Sequence, residues 1–560
     1  MTFAASCIFT FLSICLCAQS VSIKISRYDI YEFKVVSKVS QVGNPFLDVG
    51  LSGVFTSPSG KKIRIDGFYD GGDIWKLRFS PNERGIWSYV LKGEQFSYVK
   101  QGKLNCTPSS SQGFIGIHPK NPYSFAYHSG LPFFPMGDTS YGLYDDSPVT
   151  PELRNAYLAT RRSQSFNFIR MEVGHSYSRA AKDPAYWAWG GTAANPDLDR
   201  FNPAFFKGFD QLLLQMRQQG MNAELILLNF YRPPFTDPKS WTPAREKQWL
   251  RYLIARYSAF SNIFLWTISN EYETHPDGAY RLDNPADVNW IRETAAFIKE
   301  KDPYQHLVTV HPVISSGTTG SSPRSPMNGP FHIGGFFGQT KAIDVLSHQT
   351  GQGGEGVVWD ESCRCYKGDD PVLTESIRID RVFGKPVINT ENGYEYLEGQ
   401  PTMKNQVHHT DKVRRSSWRI VCSGAYFSAG FTGTLAHSDI WNQIDFPNQY
   451  TFILKDEGAG RQLSLLCQFF KALPFWQMKP FSGISGNAVA LSNGSSYVAY
   501  LPHGGKVQIH TGGQDKYTAK WFDPRNGMYK IAKLKEKGGS LTLQSPDDQD
   551  WALLVKRISP

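Results

Sequence analysis

The feature that most constrains the fold of this 560-residue chain is a recurrence of short apolar runs. They begin near Phe133, Phe166, Met221, Ile263, His306, Ile343, Pro386 and Phe431, mostly about forty residues apart. Amphipathic helical patterns fill several of the intervals. Asn202-Pro203 opens one, with Phe205, Phe206, Phe209, Leu212, Leu213 and Met216 on a single face and Gly220 as its stop. Thr242-Pro243 and Asn284-Pro285 open two more. A polar cap followed by proline suits a helix start, because the ring pre-sets φ where the missing N–H has no partner to lose. Eight strands alternating with helices predict an α/β fold, a (β/α)8 TIM barrel with large loops. An open doubly wound sheet is the competing arrangement, but no Gly-rich phosphate loop follows the first strand.

The flanks read differently, and the chain is too long for one core. Tyr31–Val36, Val54-Phe55, Lys62–Ile65, Trp75–Phe79 and Trp87–Val90 alternate in polarity between turn signals such as Asp70-Gly71-Gly72-Asp73. That rhythm predicts a β-sandwich, and strand patterns after Pro480 predict a second one. Residues 3–18 are apolar, too short to span a bilayer, and followed by the small-x-small pattern Ala18-Gln19-Ser20. The expected divisions are a signal peptide at 1–20, an N-terminal β-sandwich at 21–112, the barrel at 113–478 and a C-terminal β-sandwich at 479–560. A secreted or periplasmic protein with no membrane span follows; a lipid anchor at Cys15 or Cys17 is the minority alternative. Five cysteines remain after Ser20, an odd number too dispersed for a disulfide scaffold. At most one or two bridges are expected, and no metal role or cofactor.

Two of the apolar runs end in a carboxylate. Phe264–Ser269 stops at Asn270-Glu271, and Pro386–Thr390 stops at Glu391, 120 residues later. Barrel enzymes place their chemistry at the C-terminal ends of the strands. Glu271 would follow the fourth strand and Glu391 the seventh, so both reach one mouth. Two carboxylates there can approach ~5–5.5 Å, the separation at which one attacks an anomeric carbon while the other protonates the leaving oxygen. The pattern points to a retaining glycosidase. No His-Glu-x-x-His, Gly-x-Ser-x-Gly or P-loop sequence offers another chemistry.

Ser269-Asn270-Glu271 and Thr390-Glu391-Asn392 resemble the strand-four and strand-seven signatures of the clan A glycoside hydrolases. Gly137-Asp138-Thr139-Ser140-Tyr141-Gly142-Leu143, with Phe166-Asn167-Phe168-Ile169-Arg170, is similar to the apiosidase-like catalytic domain family of that architecture. Asn44-Pro45-Phe46, Gly67–Asp70, Arg78–Pro81 and Gly85-Ile86-Trp87 resemble the β-sandwich often found ahead of such barrels. Trp521–Gly527, Ser545-Pro546 and Asp550-Trp551 look like a module labelled collagen-binding. The resemblance implies that Glu391 is the nucleophile and Glu271 the acid/base. Many members end strand four in Gly-Gly-Asp where this chain has Ser-Asn-Glu, which leaves apiose as substrate an open matter.

Other strand ends supply candidate substrate-binding residues. Asn270 can bond the hydroxyl beside the anomeric centre, and Arg170 can hold the nucleophile ionised; a barrel-interior salt bridge is the alternative for Arg170. Asp138 can bind sugar hydroxyls or cap a turn. His311 and His348 follow the fifth and sixth strands. Tyr394, Trp187, Trp189 and Trp441 lie in expected top-face loops as stacking platforms. The formal net charge of +9 favours anionic partners. With no nucleic-acid motif, an acidic or sulfated oligo- or polysaccharide of plant or algal origin is the expected partner, although diffuse solubilising charge explains the same balance. The contrasting expectation is a non-catalytic carbohydrate- or matrix-binding protein on a barrel scaffold.

Overall fold

A computed structural model describes residues 23–38, 43–47, 50–93, 98–145, 149–174, 177–230, 232–275, 284–312, 333–349, 358–360, 365–367, 371–392, 394–395, 410–431, 458–513 and 515–558. Its centre is a parallel sheet of eight barrel strands: β1 Met136–Thr139, β2 Phe168–Glu172, β3 Asn222–Asn229, β4 Ile263–Asn270, β5 Leu307–Thr309, β6 Leu346–His348, β7 Val387–Asn389 and β8 Tyr426–Phe431. The ladder runs β5-β4-β3-β2-β1-β8-β7-β6. Its two ends meet without a regular ladder: the N–H groups of Asp344 and Val345 donate to the Val308 carbonyl at 2.9 and 3.3 Å. The Asp344 carboxylate accepts from the Val308 N–H and the Val345 carbonyl from the Thr309 hydroxyl, each at 2.8 Å. The (β/α)8 architecture is therefore present, with β8 starting five residues ahead of the expected Phe431.

The helices around the barrel include α1 Pro151–Ser163, α2 Pro203–Gln218, α3 Pro243–Tyr257, α4 Pro285–Lys301, the single turn α5 Gly334–Phe337, α6 Pro371–Asp380, α7 Thr410–Cys422 and α8 Ala459–Lys471, with a further short helix at Tyr177–Lys182. Asn202 and Asn284 each accept the N–H two residues on, and Thr242 accepts from Arg245, so all three expected Pro-opened helices start at side-chain caps. The six apolar residues singled out on α2 are all buried. Gly220, just beyond that helix, has φ +68° and turns the chain into β3.

The barrel floor is aromatic. Phe125, from the strand Asn121–Tyr127, meets Phe264 edge-on with ring centres 5.2 Å apart, and Phe133 and Phe168 meet the same ring at 5.2 Å. Gly137 is required here, since a Cβ at that position would lie 2.2 Å from the Phe168 ring.

The N-terminal region forms a five-stranded and a three-stranded antiparallel-rich sheet, and the C-terminal region a six-stranded and a four-stranded sheet. Both are bolted to the barrel by buried ion pairs. Asp210 on α2 receives Arg256 of α3 at 2.7 Å and Arg78 of the N-terminal sheet at 2.5 Å, and Asp70 pairs with Arg256 at 2.9 Å. On the other side Arg414 of α7 grips Asp550 at 2.7 and 2.9 Å, while Trp418 stacks on Tyr500. Cys106, Cys422 and Cys467 are buried and unbridged; the side chains of Cys363 and Cys365 lie outside the described residues. No described helix is long and apolar enough to cross a membrane.

Candidate active site

Successive side chains on a strand point to opposite faces, so the inner wall of the barrel is built from alternate residues. On β1 and just beyond it the inward set is Thr139 and Tyr141; on β6 and just beyond it the set is Ser347 and Gln349. Thr139 shares a hydrogen bond with Ser428 of β8 at 3.0 Å, and Ser347 shares one with Thr390 at 2.7 Å. Glu391 follows β7 and is 3% exposed. Its Oε1 accepts from Tyr141 Oη and from Arg170 Nη1 at 3.0 Å, and His311 Nε2 lies 3.1 Å away. Its Oε2 accepts from Gln349 Nε2 at 2.7 Å. Partners from four strand ends thus converge on a carboxylate carried by a fifth.

Arg170, fully buried on β2, ties the cluster together. Besides Glu391 it donates to Tyr141 Oη at 2.8 Å and to Asn270 Oδ1, and its Nε lies 3.2 Å from Glu224 on β3. Burial by itself raises the Glu391 carboxyl, but His311, the Arg170 guanidinium and the donated hydrogen bonds outweigh it and hold the group far below the usual carboxylate range. The fixed positive charge is that of Arg170. Burial, and then repulsion from Arg170, lower the His311 imidazole to about 4, so at neutral pH the ring is uncharged. Its Nδ1 sits 2.6 Å from Thr390 Oγ1, leaving Nε2 to face Glu391.

Glu271 stands immediately after β4 with φ 45° and ψ 66°, a left-handed conformation that a non-glycine residue holds only under constraint. The twist carries its side chain over the barrel mouth. A carboxylate oxygen of Glu271, one of Glu391 and a ring nitrogen of His311 all lie within 4.8 Å of one another. Glu271 is partly exposed, whereas Glu391 is enclosed. These three groups are also metal-ligand types. However, both Glu391 oxygens already accept hydrogen bonds, and a cation would share Oε1 with a guanidinium 3.0 Å away. The donor set suits a permanently ionised carboxylate better than a metal.

The structure brings together Glu271, Glu391, Arg170, Asn270 and His311. It does not bring in Asp138 or His348, and the reason is strand parity. Asp138, one residue before the inward Thr139, points outward and accepts from Arg161 Nε at 2.6 Å and Tyr157 Oη at 2.5 Å, both on α1. His348, between Ser347 and Gln349, points outward to Asp380 at the end of α6. Both are struts between barrel and helix. Trp187 and Trp189 are also core: they are 3% and 1% exposed, and Trp189 stacks on Trp249 with ring centres 4.7 Å apart. The backbone of Tyr394 pairs with Gly430; Trp441 lies outside the described residues.

From the sequence alone, Gln349 and Glu224 carry no assigned role, and Tyr141 figures only in the Gly137–Leu143 signature. For Tyr141 and Gln349 a signal is available: each lies two residues beyond an inward strand position. Glu172, two beyond Arg170, accepts from Asn229 and adds a further carboxylate near the rim.

Comparison with known proteins adds the family context. A family model described as "Apiosidase-like, catalytic domain" matches residues 119–477. A model for a domain of unknown function matches residues 24–93, and one described as "Putative collagen-binding domain of a collagenase" matches 486–556. Among solved structures, one named as a putative glycoside hydrolase from Bacteroides vulgatus is similar with TM-score 0.71 and 19% identity, covering 96% of this chain and 100% of that one. A glycoside hydrolase family 5 structure from the same organism is similar with TM-score 0.59 and 17% identity, covering 80% of this chain and 93% of that one. At such identities the likeness is one of fold. No curated protein gives a match. Because the first model spans well over half of the sequence, the chain belongs to the apiosidase-like catalytic domain family.

Proposed function

We propose that this glycosidase-like chain is a retaining glycoside hydrolase working by double displacement. Glu391 attacks the anomeric carbon and forms a glycosyl ester. Glu271 protonates the departing oxygen and then, as a base, activates the water that releases the sugar. The observation that carries the reading is the approach of the two carboxylates to within 4.8 Å, one enclosed and one partly exposed. An oxygen-to-oxygen approach of that order accords with the ~5–5.5 Å between the carboxyl groups of retaining sites. Asn270, with Oδ1 fixed by Arg170, keeps its amide hydrogens for the sugar hydroxyl next to the reacting carbon. The net positive charge supports an acidic or sulfated polysaccharide of plant or algal origin as substrate, and residues 1–20 support secretion.

The non-catalytic binding reading is less well supported, because it gives no reason for four strand ends to surround one buried carboxylate and hold it ionised. Glu391→Gln should abolish hydrolysis of an activated aryl glycoside, and azide should restore turnover to Glu271→Ala as a glycosyl azide. Undiminished activity in Glu391→Gln removes the assignment.

A further inference from the structure

The C-terminal sandwich carries a feature that the reaction does not use. Residues 479–560 contain eleven Lys and Arg against six Asp and Glu, so they hold +5 of the chain's formal +9. Several of the six acids are engaged locally: Asp550 with Arg414, Asp523 with Arg525, and Asp515 with Arg557. Two of these lysines, Lys520 and Lys556, stand on the face of the six-stranded sheet whose Phe522 packs against Trp418 and Phe469 of the barrel.

There the strand Tyr517–Phe522 pairs with Trp551–Arg557 on one side and with Tyr529–Ile531 on the other. In register, Thr518 faces Lys556, and Lys520 lies between Leu554 and Ile531. Directly paired residues share a sheet face, so the two ammonium groups stand diagonally across it. Between this face and the end of α8 is a concavity of about 300 Å³, lined by Phe469, Leu473, Leu554, Tyr529, Lys520 and Lys556, with no acidic side chain on it among the described residues. Tyr529 is 50% exposed and braced edge-on by Phe522 at 5.0 Å, and Ile531 beside it is 88% exposed. Two like charges on one face, with no counter-charge among the described lining residues, are unfavourable unless a partner supplies it.

We propose that this face is a binding site for one unit of an anionic polysaccharide, separate from the barrel mouth. Tyr529 takes the C–H face of the sugar ring, Leu473 and Leu554 form the floor, and Lys520 and Lys556 take its carboxylate or sulfate ester. A cavity this small suits a single ring rather than a folded partner. The face is part of a rigid sheet, so little ordering opposes binding. The inference rests on the glycosidase reading only in choosing a glycan as ligand.

The test is affinity electrophoresis and calorimetry on full-length Glu391→Gln protein, so that turnover plays no part, with polygalacturonate, dextran sulfate and neutral dextran as probes. Retardation by at least one charged polymer and not by neutral dextran is expected. The double change Lys520→Ala/Lys556→Ala should weaken binding about ten-fold, given two charge contacts. Tyr529→Ala should weaken it too, and Tyr529→Phe should preserve it. The polygalacturonate and dextran sulfate arms tell carboxylate from sulfate recognition. Retention of affinity in the lysine double variant, equal binding to neutral dextran, or absence of binding to both charged polymers overturns the proposal. So does lysine-dependent binding to phosphatidylglycerol vesicles without binding to either charged polymer, which would make the face a membrane contact. In the active parent, the lysine variants should hydrolyse a small aryl glycoside unchanged, so failure here and failure of the glycosidase reading are told apart.

Discussion

At the scale of single residues, the site keeps one carboxylate ionised where burial alone would protonate it. Tyr141 and Gln349 each donate to a different oxygen of Glu391, and Arg170 supplies the charge. Tyr141→Phe removes one donor and leaves the ring in place. A hydrogen bond to a charged group contributes about 1.5–3 kcal/mol, so kcat/KM should fall roughly ten- to hundred-fold with little change in Tm. The sign of the pH effect follows. The Glu391 pKa lies below its ordinary value, so loss of a donor raises it and moves the acid limb of the kcat/KM profile to higher pH. An unmoved acid limb would mean that Tyr141 does not act through Glu391. The two glutamates were legible in the sequence because each ends an apolar run. Tyr141 is legible only once the inner face of β1 is known, since it continues that face two residues past Thr139.

At the scale of elements, strand parity decides which of the expected residues reach the inner wall of the barrel. Asp138 and His348 were chosen for lying at strand ends, and both do, but each is one residue out of step with the inner wall. Their partners, Arg161 and Tyr157 on α1 and Asp380 on α6, lie on helices whose distance from the strand is set only by folding. Asp138→Ala removes the carboxylate that pairs with the buried Arg161 guanidinium at 2.6 Å. It should cost about 3 kcal/mol of stability, seen as a lowered unfolding midpoint in urea, while the folded enzyme keeps its kcat and KM. A raised KM with unchanged stability would return Asp138 to the substrate. The helix starts were legible for the opposite reason: an Asn-Pro or Thr-Pro cap is local chemistry, complete within a few residues.

At the scale of the whole molecule, buried ion pairs weld three β-rich or α/β bodies into one. Alternating patterns in the sequence revealed that sandwiches flank the barrel. They could not reveal Arg78, Asp210 and Arg256 as one cluster, because its members come from a strand and two helices far apart in the chain. Burial raises the Asp210 carboxyl, but Arg78 and Arg256 more than offset this and leave its pKa below the ordinary value. Such a group stabilises the fold above its unfolded pKa of ~3.9 and loses that contribution as pH falls through the lower folded value. Asp210→Asn should therefore cost about 3–5 kcal/mol at pH 7, and the difference from wild type should shrink on acidification in pH-dependent melts. A difference that does not change with pH would contradict the charge account.

The central claim is that Glu271 and Glu391 act on opposite sides of one glycosidic bond in two successive displacements. Proton NMR of the first product released from an aryl glycoside reads this directly, before mutarotation mixes the anomers. The account predicts a product with the same anomeric configuration as the substrate; an inverted product would contradict it.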